Sequence, residues 1–294
     1  MVSAAALEGL CPRAAMKQVE GILTAAGCPD PDVDARELVR MVTGRDPYLS
    51  ERPLEPAQAA RLENLTRRRA ERYPLQYLEG SWPFLDFTLA VGEGVLIPRA
   101  DTEVVCEAAA KTLAHTPAPR VLDLCAGSGC LGLGIRRLVP GAAVTAVEKS
   151  PEALAWLRKN SAEALAAYGE PGPAVRVEEG DVFTYQEKLA PGSLDLIVSN
   201  PPYLTAAEMQ TLQPEVRFEP AMALDGGEDG GVFYRHIVNA YAPALKPGGW
   251  LVLEIGCGQQ ALLRQILAES GRYSQVDCQK DYGGNDRVIL ARKT

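Results

Sequence analysis

The sequence predicts a doubly wound α/β sheet preceded by a small helical domain, and three observations carry that prediction. From about residue 120 onward, short apolar strands alternate with helically spaced segments, the pattern of parallel strands joined by crossover helices. A glycine-rich loop, Asp123-Leu124-Cys125-Ala126-Gly127-Ser128-Gly129, joins the first of those strands to the helix after it. A later strand, Leu194–Ser199, runs directly into Asn200-Pro201-Pro202-Tyr203. In such sheets ligands sit beyond the C-terminal strand ends, which is where both segments fall.

Taken in order, residues 1–76 read as the helical domain. Residues 12–26 carry Met16, Val19, Ile22 and Leu23 at helical spacing with Gly27 as the stop, and residues 32–42 place Leu38, Val39 and Val42 on one face ahead of Gly44. A third helix over 56–72 turns Leu62 and Leu65 inward and stops before Pro74. Its Arg67-Arg68-Arg69 run is expected to be a solvated face. The domain has no catalytic constellation and suits recognition or docking. Residues 77–98 read as a β-hairpin linker, with Phe84, Phe87, Leu89 and Val91 spaced among polar residues and glycines.

Domain 99–294 opens with a helix reaching about His115, with Asp101 as its expected cap. Strands are expected at 121–124, 144–148, 175–177, 194–199, 250–255, 273–277 and 288–291. Helices are expected at 129–138, 151–168, 232–244 and 259–268. Ser150-Pro151 is a cap followed by proline at the first helical position, and Pro247-Gly248-Gly249 turns the chain into the fifth strand.

Composition narrows the function classes. With 294 residues, 47% of them hydrophobic, the chain can bury a sizeable core in two domains. It contains no apolar run of the roughly 18 residues a membrane span needs. Its first residues lack the basic segment and apolar core of a signal peptide. Seven scattered cysteines without a C-x-x-C pair argue against a disulfide framework or zinc site and point to a reducing cytoplasm. With only His115 and His236 present, no His-rich metal centre is expected. The net charge of −8 gives no support for binding a nucleic-acid backbone, and a monomer is expected.

The chemistry gathers at the strand ends. Gly127, Gly129 and Gly132 match G-x-G-x-x-G, a weak signal alone. Glu148 ends the second strand about 20 residues beyond the loop, where an acid takes ribose hydroxyls. Asp181 follows the third strand, placed to reach an adenine amino group, with Val182 packing on the ring. Asp123 is a poor neighbour for a diphosphate but can hold an ammonium group through water. The loop residues Cys125, Ala126, Gly127, Ser128 and Gly129, with Glu148, Asp181, Val182 and Asn200, therefore favour S-adenosyl-L-methionine over NAD. Cys125 has no base nearby and reads as small packing. Two prolines stop Asn200-Pro201-Pro202-Tyr203 from continuing the sheet and hold an amide, free carbonyls and a ring in one stiff turn. Such a set suits an –NH2 on a planar group. The Asn200 oxygen and the Pro201 carbonyl would accept its two N–H bonds while Tyr203 packs on the flat face.

At these residues the sequence resembles class I methyltransferases, and specifically the PrmC/HemK family of release-factor glutamine methyltransferases. Leu96-Ile97-Pro98-Arg99-Ala100-Asp101-Thr102-Glu103, Val216-Arg217-Phe218-Glu219-Pro220 and Asp281-Tyr282-Gly283-Gly284-Asn285-Asp286-Arg287 resemble three further family segments. The resemblance implies a Rossmann-like seven-stranded sheet whose last hairpin is antiparallel, and an N-terminal bundle that helps hold the release factor. It implies methyl transfer to the glutamine of a Gly-Gly-Gln motif, with S-adenosyl-L-homocysteine as product and Asn200, Pro201, Pro202 and Tyr203 as the catalytic turn. Ala100 replaces the family's usual proline, Cys125-Ala126 a commoner Gly-Thr pair, Glu148 an aspartate and Val182 a bulkier aromatic. Arg99 and Glu103 fit either the site mouth or a surface pair; Arg217 and Glu219 are expected to brace the loop. The competing readings are an adenine-N6-type nucleic-acid methyltransferase, which shares the Asn-Pro-Pro-Tyr chemistry, and a non-enzymatic adaptor that keeps the cofactor fold. A NAD oxidoreductase lacks a proton donor beside the loop.

Overall fold

Helix caps and apolar stripes build the first of two units, seen in a computed structural model that describes residues 3–169 and 174–294. Met1 and Val2, part of the stretch inspected for a signal peptide, lie outside the described residues. This unit comprises the residues up to Gly80 together with Gln213–Phe218. Its helices are α1 (Ala4–Leu7), α2 (Pro12–Ala25), α3 (Pro31–Thr43), α4 (Pro56–Ala70) and α5 (Leu75–Glu79). Proline begins α2, α3 and α4, where its missing N–H costs nothing. Val19, Leu23, Leu38, Val39 and Leu62 are fully buried in its core, as their spacing predicts.

The arginine run departs from expectation. Arg69 is buried, with Nε 2.8 Å from Asp34 Oδ2 and Nη2 3.0 Å from Glu215 Oε1. Arg72 donates to the same Glu215 carboxylate at 2.6 and 2.7 Å. A guanidinium this deep is tolerable only when paired. The run therefore presents a solvated face at Arg67, which pairs with Glu71, but a structural tie at Arg69. Phe218 adds an edge contact to Tyr73, with ring centroids 5.3 Å apart. Sequence reading did not foresee that 213–218 packs with the helices.

The second unit, Ser81–Leu212 with Glu219–Thr294, starts with the hairpin β1 (Ser81–Phe84) and β2 (Phe87–Ala90). Its Phe84, Phe87 and Leu89 enter this unit's core beside Val104, Val105 and Leu133. There follow α6 (Ala100–Thr112), β3 (Arg120–Leu124), α7 (Cys130–Leu138), β4 (Ala143–Glu148), α8 (Pro151–Glu163), β5 (Arg176–Glu179), β6 (Leu194–Ser199) and α9 (Ala206–Met209). The chain closes with α10 (Val232–Ala240), β7 (Leu245–Glu254), α11 (Gln260–Ser270), β8 (Tyr273–Lys280) and β9 (Asp286–Lys293).

These strands form one seven-stranded sheet in the order β5-β4-β3-β6-β7-β9-β8. The first five are parallel and β9 runs antiparallel to both its neighbours. Successive residues face opposite layers. Leu196 and Val198 meet α6, α7 and α8, whereas Ile197 meets α10 and α11. Burial on both faces explains why the central strands are mostly apolar. Strand order reverses between β3 and β6, so the glycine loop and Asn200 open side by side at the crevice.

Several boundaries differ from expectation, three of them with a visible cause. Arg99, not Asp101, is the N-cap of α6; Asp101 sits in the first turn and pairs with Arg287 at 3.2 Å. Helix α8 stops at Glu163 rather than near Tyr168, and Ser161 in its last turn exchanges side-chain hydrogen bonds with the Val175 backbone. Strand β7 begins at Leu245, and Pro247-Gly248-Gly249 loops out where the β6 register shifts between Leu194 and Leu196.

Candidate active site

The loop after β3 is shaped by backbone. Cys125, Gly127 and Gly129 all have positive φ, at 57°, 55° and 86°. Gly127 faces open space, while a Cβ on Gly129 would lie 2.5 Å from Leu157, so the two glycines serve access and packing respectively. Asp123 is fully buried and accepts from Gly132 N at 2.9 Å through Oδ2. Burial pushes its carboxyl up to about 8. It braces the start of α7 and is not on the cavity wall, so it touches no ligand there directly.

A cavity of about 300 Å³ opens over this loop, lined by Cys125, Ala126, Gly127, Ser128, Glu148 and Asp181 among others. Glu148 accepts from Lys149 N and Ser150 N on Oε1 and from Gly127 N on Oε2, each at 2.8 Å. A carboxylate offers about four acceptor positions. Three are filled by backbone, so roughly one remains for a ribose hydroxyl. Asp181 pairs with Lys149 at 2.8 Å and accepts from Phe183 N, and both hold its carboxyl below the usual range. It therefore stays an ionised acceptor on the wall. Val182 is on the wall too, its carbonyl accepting from Tyr241 at 2.8 Å. The aromatic ring of this subsite comes from the next residue: Phe183 lines the cavity and packs against Phe233, ring centroids 5.0 Å apart.

The charged side chains on the wall are Arg99, Glu148, Lys149, Asp181 and Asp225. Arg99 is paired with Glu219 and Lys149 with Asp181, leaving a wall that suits a cationic nucleoside better than a diphosphate. Apolar ring surface, acids on adjoining strand ends and an open glycine backbone fit S-adenosyl-L-methionine.

The turn after β6 forms the other wall. Asn200 and Pro202 line the cavity; Pro201 and Tyr203 do not. Asn200 Nδ2 lies 3.4 Å from Thr102 Oγ1, which donates to Glu254 Oε2 at 2.7 Å. Tyr203, expected to lie flat on a substrate, instead points its hydroxyl at Glu254 Oε1, 3.5 Å away. A mostly buried phenol needs such an acceptor. Its carbonyl accepts from Gln259 Nε2 at 2.7 Å, and a Cβ on Gly256 would come within 3.1 Å of its ring. Glu219 is the brace it was expected to be. It accepts from Ile97 N at 2.9 Å and pairs with Arg99. Glu103 takes Leu85 N at 2.8 Å and so belongs to the hairpin, not the mouth.

Residues 14–80 match the PrmC N-terminal domain and residues 102–227 the methyltransferase small domain. The release factor glutamine methyltransferase of Geobacter sulfurreducens is 39% identical, over 95% of this chain and 96% of its own. The chain belongs to the release factor glutamine methyltransferase family. The Deinococcus radiodurans relative of the same name is 38% identical over 95% of this chain and 97% of its own. The fold also resembles the hMettl16 catalytic domain solved with the MAT2A 3′UTR hairpin 6, at a TM-score of 0.53 and 16% identity, covering 70% of this chain and 75% of that one. This is the class I methyltransferase fold.

Three residues of this family member went unread in the sequence. Asn160 is buried and joins the hairpin to the loop, donating to Ala90 O at 3.0 Å and Ser128 O at 2.9 Å while accepting from Ala90 N at 2.7 Å. Thr102 and Glu254 stand behind Asn200. Only Glu254 carried a signal, as an acid within the apolar run Leu251–Ile255 of a buried strand.

Proposed function

We propose that this protein transfers a methyl group from S-adenosyl-L-methionine to the side-chain amide nitrogen (N5) of the glutamine in the Gly-Gly-Gln motif of peptide chain release factors. The observation that carries the reading is Asn200, held by its amide on the wall of the cofactor-sized cavity at the β3/β6 crevice, in a chain 38–39% identical over its length to relatives bearing that name.

When bound, S-adenosyl-L-methionine supplies an electrophilic methyl group and leaves as S-adenosyl-L-homocysteine. Glu148 and Asp181 would take ribose and adenine N–H and O–H donors, and Val182 and Phe183 the ring face. A glutamine amide nitrogen is a weak nucleophile because its lone pair is delocalised. Asn200 Oδ1, on the cavity wall, accepts one of its N–H bonds, and the Pro201 carbonyl, on the same rigid turn but set back from that wall, is assigned the other. These acceptors orient the nitrogen and stabilise the positive charge that develops on it. Tyr203 supports the turn from behind. The methylated nitrogen is acidic enough to release its proton to water, so no side chain is assigned as base. The helical unit is assigned to release-factor docking, and the cytoplasm, where translation terminates, is the expected location.

The test is incubation with S-adenosyl-L-methionine and purified release factor, followed by peptide mass mapping. A gain of one methyl on the Gly-Gly-Gln glutamine is the expected result. An unmodified release factor together with methylated nucleic acid would overturn it in favour of an adenine-N6-type activity.

A further inference from the structure

Behind the catalytic turn, a threonine and a glutamate meet Asn200 in the only order their donors allow. Thr102 and Glu254 are each 1% exposed, so neither is satisfied by bulk water. Thr102 has one proton to donate. Its oxygen is 2.7 Å from Glu254 Oε2 and 3.4 Å from Asn200 Nδ2. We propose that Thr102 and Glu254 are positioning residues that fix which end of the Asn200 amide faces the cavity. The proposal rests on the reading that Asn200 Oδ1 accepts an N–H from the substrate amide.

A carboxylate only accepts, so the Thr102 proton goes to Glu254. The Thr102 oxygen is then left to accept, and only the NH2 end of Asn200 can donate to it. Oδ1 is thereby turned away from Thr102, which is itself part of the cavity wall, and left free to accept from a substrate amide. The reverse orientation would set two oxygens with no shared proton against each other. Tyr203 reinforces the arrangement. Burial and the Glu254 charge push its phenol pKa up, so it keeps its proton and remains a donor towards Glu254 Oε1.

Protonating Glu254 reverses the logic. A neutral carboxyl can donate to Thr102, which frees the Thr102 proton to point at Asn200 and favours the flipped amide. The groups facing Glu254 are Thr102, Asp101 and Cys106 of α6, Tyr203 of the turn, Tyr234 of α10, Arg287 of β9 and Cys130 of α7. Arg287 is shared between Asp281 and Asp101, at 3.0 and 3.2 Å, so its compensation of Glu254 is incomplete. Burial prevails and raises the Glu254 carboxyl to about 7. The active form is the carboxylate, present above that value. Turnover should rise with pH through about 7 and then level off.

The experiment compares T102V, T102S and E254Q with the wild type, using release factor and S-adenosyl-L-methionine, between about pH 6 and 9. T102V and E254Q are expected to lower kcat about tenfold or more, with KM for release factor and the cofactor Kd within about twofold. T102S, which keeps the hydroxyl, should recover kcat to within about threefold. The acidic limb of the wild-type profile should vanish in both defective variants. A T102V enzyme with wild-type kcat and an intact acidic limb would overturn the inference, whether or not E254Q folds. Asn200→Ala separates the two layers. If it abolishes turnover while T102V does not, only the positioning role fails; if it leaves turnover intact, the reading beneath it fails as well.

Discussion

The two walls of the cavity are built by opposite means. On the cofactor side, the loop after β3 is shaped by its backbone, with positive φ at three positions, and side chains reach it through its peptide groups: Glu148 accepts from Gly127 N and Asn160 donates to Ser128 O. On the acceptor side, two prolines stiffen the chain, but the orientation of the working amide is set by side chains from α6 and β7. The backbone wall can tolerate exchange of side chains that leave φ and N–H groups in place. The side-chain wall can lose function by the removal of one hydroxyl. The contrast also separates binding from turnover, because each wall faces a different reactant.

The largest effect expected from that separation is on turnover. Asn200→Ala removes an acceptor aimed at charge that develops in the transition state, and kcat should fall by about 10²–10³. The cofactor Kd should stay within about twofold, since Asn200 is assigned to the substrate amide and Glu148 and Asp181 to the nucleoside. Glu148→Ala should do the opposite, weakening cofactor binding by about tenfold to a hundredfold through loss of a charge-assisted acceptor and of the Gly127 tether. Isothermal titration for Kd and single-turnover rates at saturating cofactor check both. A Glu148→Ala enzyme with unchanged Kd would merge the two walls into one and remove the ribose assignment.

This difference also explains what could be read from the sequence. Strand β6 was legible to the residue, because a strand buried on both faces is mostly apolar and the Asn200-Pro201-Pro202 turn must end it. The glycine loop and Glu148 were legible because their geometry depends on neighbours along the chain. Thr102 was not, since its partner lies 98 residues away and nothing in Ala100-Asp101-Thr102-Glu103 distinguishes it from a surface turn. Asn160, 70 residues from Ala90, is one more polar residue in an amphipathic helix until the hairpin is laid over it. Phe183 was not legible, because its place on the cavity wall depends on packing against Phe233, 50 residues on. Arg69 and Glu215, 146 residues apart, show the same limit in the helical unit, where a charge run concealed a buried ion pair.

Asn160 tests whether the cofactor wall depends on a side chain after all. All three of its hydrogen bonds go to backbone atoms of Ala90 and Ser128. Asn160→Ala strands those groups in a buried place and should cost about 1–3 kcal/mol of stability, read by urea unfolding. If the loop is set by its own backbone, cofactor Kd should rise less than about fivefold at temperatures where the variant is folded. A loss of affinity as large as that of Glu148→Ala would mean that Asn160, rather than the loop's φ angles, shapes the wall.

The smallest effect is the most specific to a backbone-built loop. Cys125 adopts φ 57°, a left-handed conformation that costs an L-residue about 1–2 kcal/mol and glycine nothing. Its thiol is pushed far up by burial and stays un-ionised, so it brings packing and no charge to the cavity. Cys125→Ala deletes that packing and keeps the strain. Cys125→Gly deletes more atoms but releases the strain, at a cost of about 0.5–1 kcal/mol in unfolded-chain entropy. The alanine variant should therefore lose about 1 kcal/mol while the glycine variant stays within about 0.5 kcal/mol of wild type, an inversion of the usual order for side-chain deletion. Chemical denaturation of the three proteins resolves it. A glycine variant less stable than the alanine variant would show that side-chain packing outweighs backbone strain at this position, and the contrast between the walls would narrow accordingly.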